Sequence, residues 1–154
     1  MISVVSGDID NQIVKALVRN GRAPFAQIAQ EVGLSAHAVA ERVRRLEARG
    51  VIRGYTALVD QGELGRALGA FIDVRLAPTT DPDAFERLAW SLPATRAVAF
   101  VSGRFDYIVQ LACRDASDLD HTVRELRRRG GVAATETRIV MRSTDPRTQT
   151  TRQL

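Results

Sequence analysis

The chain has one cysteine, Cys113, in 154 residues. An intramolecular disulfide is therefore impossible, which excludes the cross-linked scaffolds of small secreted domains. Cys113 closes the apolar run IVQLAC, where a small buried hydrophobe is expected. Histidine is scarce as well. His37 and His121 are the only two, far apart in sequence, and neither stands in a carboxylate–cysteine grouping of metal-ligand spacing. His121 lies beside Asp118 and Asp120, as a surface residue would. There is no phosphate-cradling glycine loop and no nucleophile motif, so an enzyme reading has no apparatus to rest on and no cofactor is expected. No stretch approaches the roughly 18 apolar residues of a membrane span. The first residues, MISVVSGDID, lack the basic region and apolar core of a leader, so a soluble cytoplasmic protein is expected.

Lysine is nearly missing: Lys15 is the only one among 22 lysines and arginines. A GC-rich genome favours arginine codons, so this bias is not itself a sign of phosphate binding. The formal charge of +4 and the pI near 10.2 are moderate evidence for an anionic partner. Charge says more locally. Between Ser35 and Arg53 stand five arginines against two glutamates. The hydrophobic fraction of 45% suffices for packed cores, in one ordinary domain or two small ones.

The segment PFAQIAQEVGLSAHAVAERVRRLEARGVIR, residues 24–53, carries the most information. Pro24 suits a first helical position, and Phe25, Ile28, Ala29 and Val32 recur on one helical face. Gly33 can end that helix in the left-handed conformation and Ser35 can cap the next. Ala38 stands where a capping-box Glu or Gln would help, so that cap rests on Ser35 alone. Val39, Val43 and Leu46 would anchor the second helix on a core, and its other face carries His37, Arg42, Arg44, Arg45 and Arg49. A helix buried on one side and arginine-rich on the other is what a major groove accepts. Ahead of this pair, Asp8 or Asp10 opens a helix with an Ile9, Ile13, Ala16, Leu17 stripe, stopped at Asn20-Gly21. After Gly50, Val51-Ile52 and Tyr55 to Val59 read as a short extended pair, the wing of a winged helix.

From Leu68 the period changes to two. Ala70, Ile72, Val74 and Leu76 alternate with Phe71, Asp73 and Arg75 as a half-buried strand. A helix from Asp83 to Leu92 follows, then strands Ala97–Ser102 and Tyr107–Cys113, a helix Ser117–Arg129 and a strand Val132–Arg142. The order βαββαβ is ferredoxin-like. The expected class is thus α+β, with a winged helix-turn-helix over residues 1–60, a hinge over 61–67, a ferredoxin-like domain over 68–142 and a polar tail over 143–154.

This arrangement resembles the Lrp/AsnC (feast/famine) family of transcriptional regulators. Three stretches carry the resemblance. DIDNQIVKAL is similar to the family's opening helix. IAQEVGLSAHAVAERVRRLEARGVI is similar to its recognition motif, with Leu34-Ser35, Arg42, Leu46-Glu47 and Gly50-Val51-Ile52 at matching spacing. VSGRFDYIVQL resembles the Gly-x-aromatic-Asp-Tyr signature of its effector (RAM-type) domain. The resemblance implies a cytoplasmic, nucleoid-associated regulator that binds double-stranded DNA. It also implies a homodimer built through the βαββαβ domains, often a tetramer or octamer, and control by an amino-acid-like effector bound between subunits.

For DNA contact the residues expected are Ser35, His37, Ala38, Arg42, Arg44 and Arg45. Residues early in the helix meet base edges, a helix N-terminus favours phosphate, and arginines reach guanines or phosphates. For the effector they are Gly103, Arg104, Phe105, Asp106 and Tyr107, with Thr135 and Thr137 from the last strand. A glycine-containing turn can offer amides to a carboxylate and Asp106 can accept from an ammonium, while Arg104 is expected to point to solvent. The plainer alternative is that Gly103 and Asp106 are turn residues between paired strands. An architectural DNA-organising protein and an enzyme subunit are the two rival functions.

Overall fold

The computed structural model describes residues 7–143. The chain divides between Leu58 and Val59 into two compact units. The polar tail expected over 143–154 lies, apart from Ser143, outside the described residues.

The first unit is three helices, α1 (Asp8–Arg19), α2 (Phe25–Val32) and α3 (Ala36–Ala48). Their apolar stripes meet in one core of Ile13, Ala16, Leu17, Ile28, Ala29, Val39 and Val43. Most of the local grammar holds. Gly33 ends α2 in the left-handed region at φ 69°. Ser35 caps α3, its hydroxyl accepting from the Ala38 amide at 3.1 Å. One detail shifts by a position: Pro24 is the N-cap of α2 rather than its first residue. Asp8 opens α1 after Gly7, with Asp10 also inside its first turn, where the helix dipole favours acids.

The wing is a correction. Residues 51–59 contain no strand. The amides of Val51 and Ile52 both turn back to the Leu46 carbonyl, closing the end of α3, so they are spent on the helix terminus and have none to offer a ladder. Among the described residues the first unit is a helix-turn-helix without a paired wing.

The second unit comprises β1 (Leu68–Leu76), α4 (Pro82–Ser91), β2 (Thr95–Phe100), β3 (Tyr107–Cys113), α5 (Ala116–Arg129) and β4 (Val132–Ile139). The sheet order is β2-β3-β1-β4, and every neighbouring pair is antiparallel. β1 and β2 therefore run parallel with β3 inserted between them, the split arrangement expected of the ferredoxin-like fold. Asp81 caps α4 and Asp115 caps α5 through their side chains. Both helices cover one face of the sheet, where Phe85, Ala89, Leu119 and Leu126 pack on Ile72, Val74, Tyr107, Val109, Leu111 and Cys113. Cys113 is a buried free thiol, as its apolar run suggested.

Residues 61–67, expected as a hinge, belong to this unit. The Gln61 side chain accepts from Arg96 Nε at 3.1 Å and Arg66 donates to the Ala112 carbonyl at 3.3 Å. Two side-chain anchors to the sheet hold the segment as a fastened turn.

Candidate DNA-reading helix and effector loop

The α3 core stripe, Val39, Val43 and Leu46, is at most 2% exposed. At 100° per residue the opposite pole of the helix carries His37, Glu41, Arg44 and Ala48, with Arg45 beside them, and all five are exposed. Ser35 is exposed at the N-terminal end, while Ala38 is half-buried on the flank. The three arginines expected on one surface are in three different situations. Arg44 is exposed and ion-paired to Glu41 one turn earlier. Arg45 has no ion-pair partner among the described residues and projects outward. Arg42 is drawn back: its NH1 donates to Asp10 Oδ1 of α1 at 2.7 Å, with the side chains 30% and 11% exposed.

The loop joining β2 to β3 is closed by the Val101 amide on the Asp106 carbonyl, and the Asp106 amide donates to the Val74 carbonyl, both at 2.9 Å. Asp106 Oδ2 accepts from the Leu76 amide at 2.8 Å, where a bulge shifts the β1–β4 register. This carboxylate is thus first a brace for the end of β1, and its Oδ1 accepts no hydrogen bond among the described residues. Gly103 sits at φ 123°, a conformation reserved for glycine. Arg75 donates through Nε and NH2 to the Arg104 carbonyl at 3.0 and 2.7 Å. The guanidinium groups of Arg75 and Arg104 lie 5.8 and 5.1 Å from the Phe105 ring centroid. Arg104 is exposed, as expected. The amides of Ser102, Gly103, Arg104 and Phe105 have no acceptor among the described residues. Free amides beside two cations favour an anion.

Three of the expected effector residues stand elsewhere. Tyr107 follows Asp106 and, by strand alternation, faces the helices. It is 1% exposed, its ring is 4.8 Å from that of Phe85, and its hydroxyl donates to Glu86 Oε1 at 2.8 Å. Burial, then the bond to Glu86, push the phenol up to about 12. It is a core residue, which corrects the expectation for it. Thr135 and Thr137 pair with Val74 and Ile72 and so share the helix-side face. With β1 between β4 and β3, they are two strand spacings, about 10 Å, from β3, and one chain does not bring them to the loop.

Sequence reasoning also passed over a hollow of about 340 Å³ beneath the start of α5, lined by Arg66, Leu92, Pro93, Ala94, Arg114, Asp118, His121 and Thr122. Asp118 there accepts from the Arg114 amide at 2.9 Å and from its guanidinium, which hold its carboxyl below the usual range. No group of three or more metal-ligating side chains occurs among the described residues. No helix among them is long and apolar enough to cross a membrane.

A helix-turn-helix joined to a ferredoxin-like sheet with an anion-favouring loop defines a class: DNA-binding regulators carrying a ligand-binding domain. The comparisons agree. Residues 8–47 match the AsnC-type helix-turn-helix domain and residues 69–150 the Lrp/AsnC ligand-binding domain. The leucine-responsive regulatory protein of Rhizobium meliloti is 36% identical over 137 residues, spanning 87% of this chain and 88% of the relative. The fold is similar to that of a feast or famine regulatory protein from Mycobacterium tuberculosis complexed with L-methionine, with TM-score 0.84, 30% identity and coverage of 90% and 93% of the two chains. It is also similar to a transcriptional regulator from Neisseria meningitidis in complex with L-methionine, with TM-score 0.85, 26% identity and coverage of 90% and 92%. The chain belongs to the Lrp/AsnC family of transcriptional regulators.

Proposed function

We propose that this chain reads DNA through the outer pole of α3 and answers to an amino acid held at the loop around Gly103–Asp106. The observation that carries the DNA half is the split character of α3. One side is locked into the core and the other presents Ser35, His37, Arg44 and Arg45, with Ala38 on the flank near the helix N-terminus. Arg44 and Arg45 supply attachment to phosphate or guanine, and the first turn supplies the base-edge contacts. The L-methionine seen on two structural relatives supports an amino-acid effector here. The loop offers what such a ligand needs: free amides and two guanidinium groups for its carboxylate, and Asp106 Oδ1 for its ammonium. Thr135 and Thr137 enter such a site only from a neighbouring subunit.

The protein acts as a homo-oligomer without enzymatic activity, in the cytoplasm on the nucleoid. The open sheet face supports assembly through the second unit. By register it carries Phe71, Ile108, Ala97 and Ala99 together with Gln110, Arg75, Glu136 and the Asp73–Arg138 ion pair, a mixed apolar and charged surface with no helix over it. A dimer then presents two copies of α3 to successive major-groove faces.

Binding to a duplex selected by the chain from a random pool tests the DNA half. Affinity should fall linearly on a log–log scale with salt, and Arg45→Ala should reduce the slope by about 0.9 for one lost phosphate contact. A salt-independent affinity would sink the reading. For the effector half, thermal shift with each amino acid should show a selective rise that Asp106→Ala abolishes. Because Asp106 also braces Leu76, the comparison is the ligand-induced shift within each variant. An equal shift in Asp106→Ala moves the site away from this loop.

A further inference from the structure

Arg42 has the residue type and helix expected of a DNA contact, and its surroundings argue for another task. It lies three residues after Val39 and four before Leu46, so it flanks the buried stripe rather than the exposed pole. Its guanidinium is joined at 2.7 Å to a carboxylate that is itself only 11% exposed. That carboxylate, Asp10, is in the first turn of α1, where the helix dipole stabilises an anion. The partners are 32 residues apart, and their bond fastens the recognition helix to a helix that carries none of the expected DNA contacts. α1 and α3 also share one apolar core that includes Ile13, Ala16, Val39 and Val43, and such packing is not directional. A charge-assisted hydrogen bond is directional.

We propose that Asp10 and Arg42 form a positioning pair that sets how α3 projects into the groove, so that an acidic residue outside the reading helix controls sequence discrimination. The inference rests on the DNA-reading function proposed above. It separates from direct contact by the sign of an effect. If Arg42 grips a phosphate, Asp10 is a nearby negative charge that competes for it, and Asp10→Asn should leave binding unchanged or tighten it. If the pair positions α3, Asp10→Asn weakens binding even though it removes a charge that repels DNA.

The experiment uses the full chain and two duplexes of equal length and composition, one selected by the wild type from a random pool and one scrambled. Affinities are measured across a salt series, at a temperature where circular dichroism shows each variant folded. The ratio of affinities for the two duplexes is expected to fall about tenfold or more in Asp10→Asn and in Arg42→Gln, the size of one lost base contact. The salt slope should stay at the wild-type value in both. The double variant should be no worse than either single one, because one interaction is lost in all three. Arg42→Lys, which keeps a cation within reach of Asp10, should recover much of the ratio. A structural weakening alone would lower both affinities together and leave their ratio intact, so an unchanged ratio overturns the proposal. So does a slope reduced by about 0.9 in Arg42→Gln, which marks a phosphate contact. Failure of the wild type to bind either duplex would remove the DNA-reading function itself, and this inference with it.

Discussion

Single side chains here take their roles from partners distant in sequence. Tyr107 belongs to a stretch that resembles a ligand signature, but its hydroxyl is committed to Glu86 and its ring to Phe85. Its titration gives a test with a definite sign. The phenol is raised from 10.0 to about 12 in the folded chain, so the unfolded chain releases its proton first. The contribution is complete below the ordinary value and is lost as pH rises through the folded one. Unfolding of the second unit should therefore become easier across that alkaline window, and Tyr107→Phe should flatten the dependence at a cost of about 1 kcal/mol at neutral pH. Denaturant melts of both chains at a series of alkaline pH values measure this. Parallel curves would mean that Tyr107 is not the responsible group. Asp106 shows the same lesson from the other side: one carboxylate oxygen holds the Leu76 amide, a partner 30 residues away.

Caps and turns are where the elements are most exposed to single changes. The start of α3 rests on Ser35, since Ala38 contributes only its amide. Ser35→Ala should cost about 1 kcal/mol and Ser35→Gly only a few tenths, read as the stability of the first unit. If the two variants are equally stable, the hydroxyl is not the cap. The turn from α5 into β4 is tighter. Gly131 has φ 61°, and a Cβ there would fall 2.3 Å from Thr80 Oγ1, whose hydroxyl donates to the Gly131 carbonyl. Gly131→Ala should destabilise the second unit by at least about 2 kcal/mol, from backbone strain with the clash added. Pairing it with Thr80→Ala should restore only part, because the strain in φ remains. Full recovery would show that the clash was the whole effect. Ser35 was legible in the sequence as a cap, and the gap between the expected helix Ser117–Arg129 and strand Val132–Arg142 placed a turn at Gly130-Gly131. The approach of Thr80 was not legible, because it comes from a loop 51 residues away.

At the scale of the whole molecule, the chain divides at Leu58–Val59 into two compact units, each with its own core. Independent cores predict independent melting. Ile28 is fully buried in the helical unit, so Ile28→Ala should cost that unit about 2–5 kcal/mol and lower one thermal transition. The transition of the sheet unit, followed calorimetrically, should stay in place. A single transition that moves as a whole would show that the units fold as one.

The helices, strands and order of elements were available from the chain alone, because they depend on repeats of three, four or two residues and on caps that act within a turn. Ile13 and Ala16, Val39 and Val43, Ile72 and Val74 declare their faces without knowledge of any partner. The family was legible for the same reason, since its motifs are contiguous. The wing was misread because extended character in Val51-Ile52 says nothing of where their amides go, and both return to Leu46. Which arginine of α3 is free, which face Tyr107 takes in its sheet, and how far Thr135 stands from Asp106 were decided by tertiary structure. Each depends on groups tens of residues apart: Arg42 with Asp10, Asp106 with Leu76, Arg138 with Asp73. Charge and hydrogen-bonding capacity are written in the residue type. The partner that uses them is chosen only when the chain has folded.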